Sequence, residues 1–160
     1  MLAVIVTVVV VVVATGGADD AEAAAVTTGY HNVSTGALTT GLKFSGAAAV
    51  GTKVVFAPYH ADVIGVFDTA DDTFNSSVTT GDLTGVQYKF SGAAAVGTKV
   101  VFAPFKSDVV GVFDTADDTF DASVSVGHIA GTYKFFGAAV VVGTEVVFAP
   151  CDADEVGWFT

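Results

Sequence analysis

The chain has 160 residues, 52% of them apolar, and a net charge of −11 from 17 acidic side chains against six lysines and no arginine. That length supports one domain with a sizeable core. The charge argues against a nucleic-acid partner, which needs a basic face, and against an anionic membrane surface. The single cysteine, Cys151, excludes an intramolecular disulfide and a cysteine-based zinc site.

Residues 1–28 form a valine-rich N-terminal segment. The run over residues 1–14 is shorter than the ~20 apolar residues that span a bilayer, so no membrane span is expected. Two readings stand side by side. The run is the core of a signal peptide, with Ala21-Glu22-Ala23 near a cleavage point, although no positive charge precedes it. Alternatively it is a strand of a degenerate blade, because Ala18-Asp19-Asp20 and Val26 have the spacing of Ala70-Asp71-Asp72 and Val78. Further on, Val33-Ser34-Thr35-Gly36-Ala37-Leu38 matches Val78-Thr79-Thr80-Gly81-Asp82-Leu83, which predicts an outer strand before residue 43.

Residues 29–160 are dominated by a repeat. The stretch 43–74, KFSGAAAVGTKVVFAPYHADVIGVFDTADDTF, returns at 89–120 with four changes, and starts a third time at Lys134. A period of roughly 40–50 residues is typical of propeller blades. Within the unit, short apolar runs rich in valine and phenylalanine alternate with turn residues, which predicts four strands. Strand a covers 44–50, b covers 52–57, c covers 63–67 and d covers 74–79. Strand a is made of small residues, which suits an innermost strand where blades crowd together. Eleven of the thirteen phenylalanines sit at repeated positions, which marks them as core. The third unit stops after strand c, at Trp158-Phe159-Thr160.

Gly46-Ala47-Ala48-Ala49-Val50, then Gly51-Thr52-Lys53-Val54-Val55-Phe56, then Asp62-Val63-Ile64-Gly65-Val66-Phe67-Asp68, resembles the β-propeller repeats of the YVTN type. It is similar also to the algal and protist repeats that read "GGVLAPNGKIY". The resemblance covers residues 43–160 and implies an all-β fold built from propeller blades, each a four-stranded antiparallel meander. The expected architecture is an incomplete or open ring of about three blades, with a candidate degenerate N-terminal blade. Such a chain has too few units for an ordinary ring of ~4 or more blades. Its bare strand edges then point to a homo-oligomer, with residues 33–38 of one copy pairing residues 156–159 of the next.

The two full repeats differ at Tyr59/Phe105, His60/Lys106, Ala61/Ser107 and Ile64/Val110. Three of these lie in the b–c loop, where the third unit has Cys151-Asp152-Ala153. A constant scaffold with one variable loop places binding specificity on that loop. Loops d–a of the same face add Asp82 and His128, so the candidate ligand-binding patch is Tyr59, His60, Asp82, Phe105, Lys106, His128, Cys151 and Asp152. The competing reading is a set of solvated loop residues. Asp62, Asp108 and Asp154 precede strand c in every unit and read as turn caps or as a carboxylate ring for a cation. Asp68, Asp71 and Asp72, with Asp114, Asp117 and Asp118, are weak calcium candidates in the c–d hairpins; they lack the Asp-x-Asp-x-Asp-Gly loop. Lys43, Lys89 and Lys134 read either as an anion-binding ring or as stems packed on Tyr88 and Tyr133. Cys151 with His128 could form a thiolate pair. No other cofactor is expected.

No nucleophile elbow, zinc-protease motif or phosphate loop occurs, and no catalytic residue is assigned. The sequence therefore points to a non-catalytic binding or scaffold propeller with a protein or glycan partner. Two alternatives are a metal-dependent, lactonase-like hydrolase and a carbohydrate-binding module stacking sugars on Tyr59 and Phe105. The hydrolase needs inward-facing acids, yet the inner strands offer alanine and valine. Asn32-Val33-Ser34 and Asn75-Ser76-Ser77 are glycosylation triplets, which tilts the reading towards a secreted or extracellular protein.

Overall fold

The computed structural model describes residues 29–140 and 143–160; both readings of residues 1–28 fall outside the described part. The described residues hold eleven strands, all within 33–160. The first sheet is β1 (Phe44–Val50), β2 (Lys53–Pro58), β3 (Gly65–Asp68) and β4 (Thr73–Asn75). The second is β5 (Phe90–Val96), β6 (Lys99–Pro104), β7 (Val109–Asp114) and β8 (Thr119–Ser125). The third is β9 (Phe135–Val140), β10 (Val146–Pro150) and β11 (Gly157–Phe159). Strand order follows the chain in each sheet, and neighbours run antiparallel, so each repeat is an open meander. A single 3-10 turn, Gly81–Leu83, lies between β4 and β5.

Strands β1, β5 and β9 are the contact edges between sheets. Ser91 Oγ donates to the Phe135 carbonyl at 2.7 Å and accepts from Gly137 N–H at 3.3 Å. A β-carbon built on Gly92 would lie 2.6 Å from Gly137 Cα, and one on Gly46 would lie 3.0 Å from Gly92 Cα. Backbones this close leave room for no side chain, which explains the glycine in the middle of strand a.

Each sheet has two unlike faces, because side chains alternate along a strand. In the first sheet one face carries Val55, Ala57, Ile64 and Val66. It is covered by Phe90, Val100, Phe102 and Phe113 of the second sheet. The second sheet repeats the arrangement: Val101, Ala103, Val110 and Val112 are covered by Phe135, Val146 and Phe148. The core is thus a stack of aliphatic face on phenylalanine face, and the ring clusters Phe44–Phe56–Phe74 and Phe90–Phe102–Phe120 hold each aromatic face together.

Two local expectations are corrected. Residues 33–38 form no strand; a turn closes at Gly36, with Leu38 N–H donating to the Thr35 carbonyl. Among the described residues the outer edge of β11 pairs with no other strand of the chain. Strand c of the first unit starts at Gly65 and not at Val63, which makes only an isolated bridge to Thr79.

Candidate binding face

The b–c loops lie against the segments that lead into strand a, and a fixed hydrogen-bond pattern holds them there. In each unit the first b–c loop residue donates its N–H to the carbonyl of its own strand-a lysine. Tyr59 donates to Lys43 at 2.9 Å, Phe105 to Lys89 at 2.9 Å and Cys151 to Lys134 at 2.8 Å. The carbonyl of the loop residue then accepts from the next unit: Lys89 N–H donates to Tyr59 at 3.0 Å and Lys134 N–H to Phe105 at 2.7 Å.

Two of the three lysine side chains correct the anion-ring reading. Lys89 is fully buried, its ammonium donating to Asp62 Oδ1 at 2.9 Å and to the Ala61 carbonyl at 3.1 Å. Lys134 likewise reaches Asp108 Oδ1 at 2.7 Å. These ions fasten each unit to the one before it and are not presented to an anion. The aspartates do not cap their own turns: Asp62 also accepts from Gly85 N–H, at 2.8 Å, in the d–a loop. The Lys89 hydrogen bond holds the Asp62 carboxyl below the usual carboxylate range, and Gly85 N–H adds to this while burial opposes it.

Over the loops lies a connected set of rings. His60 stacks on Tyr59 with centroids 5.2 Å apart, and Tyr88 meets the pair edge-on at 4.5 Å from His60. Phe105 touches Tyr59 on one side and stacks on Tyr133 at 4.6 Å on the other. Phe136 meets Phe105 edge-on. Burial, followed by the neighbouring phenols of Tyr88 and Tyr133, pushes the Tyr59 hydroxyl up from its ordinary value. His60 Nε2 is buried with no hydrogen-bond partner. Tyr88 has a left-handed backbone, φ 59°, which costs a non-glycine residue about 1–3 kcal/mol.

Of the candidate residues, Tyr59, His60 and Phe105 join this cluster. Lys106, Cys151 and Asp152 are exposed on the same loops. Lys106 and Asp152 donate backbone N–H to the carbonyls of Tyr88 and Tyr133, and Asp152 Oδ2 accepts from Tyr133 N–H at 3.0 Å. Asp82 sits instead in a separate groove of about 440 Å³ lined by Leu83, Val109, Phe120 and Ala122. His128 is exposed in the turn after β8, and no hydrogen bond joins it to the exposed Cys151 among the described residues. Sequence reasoning missed Tyr88, Tyr133 and Phe136 as parts of the face. The available signal was the tyrosine before the strand-a lysine in units two and three.

The c–d hairpin carboxylates are engaged locally. Asp68 and Asp114 accept from Ala70 and Ala116 N–H, and Asp71 and Asp117 accept from Thr73 and Thr119. Asp114 pairs with Lys99 at 2.6 Å, and Asp118 pairs across the units with Lys53 at 2.8 Å. Asp72 occupies the left-handed turn position, φ 55°. Among the described residues no group of three or more His, Cys, Asp or Glu side chains converges on a cation site, and no helix is long and apolar enough to cross a membrane.

No protein-family model matches the chain, so the repeat resemblance gains no support from that comparison. No curated protein matches it either. Among solved structures it is similar to virginiamycin B lyase from Staphylococcus aureus, with a TM-score of 0.57 and 11% identity over 76% of this chain. The match spans 39% of the lyase, so the chain corresponds to about two-fifths of that protein. At this identity the likeness speaks to fold alone. With the two four-stranded meanders and the three-stranded one that follows them, it defines the chain as an all-β protein of β-propeller-like fold.

Proposed function

We propose that the chain is a non-catalytic binding propeller whose ligand face is the aromatic cluster over the b–c loops. The observation that carries this is the joined set Tyr59, His60, Tyr88, Phe105, Tyr133 and Phe136, laid across three units of an otherwise repeated scaffold. The unpartnered, buried His60 nitrogen supports it, because unsatisfied polar atoms concentrate where a ligand is held. The inner strands bring serine, glycine, alanine and valine to the unit interfaces, and no carboxylate for hydrolytic chemistry.

Of the two partner classes, a glycan is favoured by the exposed rings beside phenol hydroxyls, which combine a stacking surface with hydrogen-bonding groups. The stacking platform then differs from the pair named from sequence. Phe105 is buried beneath its neighbours, whereas Tyr133 and Phe136 are 39% and 64% exposed. An oligosaccharide array followed by calorimetry on the strongest ligand tests this. Replacing Tyr133 and Phe136 together by alanine is expected to weaken binding by roughly 5-fold or more, at about 0.5–1.5 kcal/mol per stacked ring. Binding untouched by that double replacement, or no glycan bound at all while a protein partner is captured through the same residues, would move the reading to a protein ligand.

A further inference from the structure

Among the described residues, nothing covers the aliphatic face of the repeat on the third sheet. Val147, Ala149, Val156 and Trp158 stand where the first unit has Val55, Ala57, Ile64 and Val66. Those four are at most 9% exposed, whereas Val156 is 54% and Trp158 67% exposed. In both interfaces that the chain contains, this face is covered by the phenylalanine face of a following unit. Each cover also brings a lysine whose ammonium reaches the aspartate before strand c, and whose N–H reaches the first b–c loop carbonyl. The third unit keeps both receivers: Asp154, which makes no ion pair among the described residues, and the Cys151 carbonyl. The matching cover exists in the first unit. Phe44, Phe56 and Phe74 are only half-buried where Phe90 and Phe102 are fully buried, and Lys43 has no carboxylate partner among the described residues.

We infer that a second copy of this chain docks its first unit on the exposed face of the third, head to tail, with Lys43 of one copy paired to Asp154 of the other. The contact is distinct from the aromatic binding face, and its success or failure is read without any ligand. It reproduces, between molecules, an interface the chain already forms twice within itself. That fixes the register: Lys43 N–H to the Cys151 carbonyl, Lys43 ammonium to Asp154, and the Phe44–Phe56–Phe74 cluster over Trp158.

The test uses the full chain. Trp158 is its sole tryptophan, so emission reports this face alone. Light scattering and tryptophan fluorescence over a concentration series are expected to show mass rising above one chain together with a blue shift. Asp154→Lys and Lys43→Asp each place like charges at the contact and should weaken association roughly 30-fold or more. Mixed in equal amounts, the two variants should associate again. Where the two substituted positions meet, the charges are opposite with their sides exchanged; where the two unsubstituted positions meet, the original pair of Lys43 and Asp154 re-forms. Both positions are at the surface of an isolated chain, so circular dichroism should be unchanged. A chain that stays monomeric with a solvated tryptophan at every concentration would overturn the inference. So would a monomer whose tryptophan is blue-shifted throughout, since the face would then be covered from within, and so would a mixture that fails to recover.

Discussion

Lys89 is an ammonium removed from water, and its counter-ion is not. The Asp62 side chain is 43% exposed while that of Lys89 is wholly buried. Removing the two partners should therefore have unequal effects. Asp62→Ala strands a buried cation and should destabilise by about 2–3 kcal/mol, whereas Lys89→Met keeps the volume, removes the charge and should cost about 1–2 kcal/mol. Urea unfolding of the two variants checks the order; equal losses would mean that water reaches the ammonium. The same bond sets a pH dependence. Asp62 is held below its ordinary value of 3.8, chiefly by the Lys89 hydrogen bond. A carboxyl depressed on folding stabilises fully above its unfolded value, and that contribution is lost as pH falls through the folded one. Asp114, held at about 2 by the Lys99 hydrogen bond and then by Ala116 N–H, acts in the same direction. Stability should thus fall only below about pH 4 as these groups protonate. In Lys89→Met, a carbon-13 titration should find the Asp62 carboxyl returned towards its ordinary value while Asp114 stays low.

At the scale of elements, the inner strands set how closely units approach. A β-carbon at Gly92 meets backbone atoms of Gly137 and Ala138, at 2.6 and 2.9 Å, which cannot swing aside as a side-chain tip can. Gly92→Ala should push β5 from β9 and destabilise by about 2–3 kcal/mol. Gly41→Ala, where nothing lies within 4 Å of the new carbon, should change little. Denaturant midpoints at constant slope would show it. This inner strand was legible in the sequence: the expected span of strand a is the observed β1, because a run of small residues bounded by phenylalanine and a glycine turn admits little else. The phenylalanine ladder was legible as core for the same reason, since its alternation with valine follows the strand period. The lysine role was not. Lys89 meets an aspartate 27 residues away in another unit, and only the rotation between units decides whether an ammonium points outward or into the neighbour. Tyr133 and Phe136 were hidden similarly, since their ring partner Phe105 belongs to the preceding sheet.

For the whole molecule, charge and apolar surface act against each other. Each copy carries a net charge of −11, so two copies approaching head to tail repel at long range. The proposed contact is mostly an apolar face, with one lysine–aspartate pair whose ammonium becomes buried as those of Lys89 and Lys134 are, while the carboxylate keeps its edge in water. Salt reaches the two terms differently. The screening length falls from roughly 30 Å at about 0.01 M to roughly 8 Å at about 0.15 M, which removes most of the repulsion between surfaces. A single pair at hydrogen-bonding distance with its ammonium buried is screened less than the separated surface charges, and apolar burial does not weaken. Association should therefore tighten as salt is raised over this range. In Asp154→Lys, where like charges meet inside the contact, added salt should recover only part of the loss. Sedimentation equilibrium at the two ionic strengths measures both. Association that weakens steadily with salt would instead mark a contact held by exposed charges, and the apolar face of the third sheet would then not be its centre.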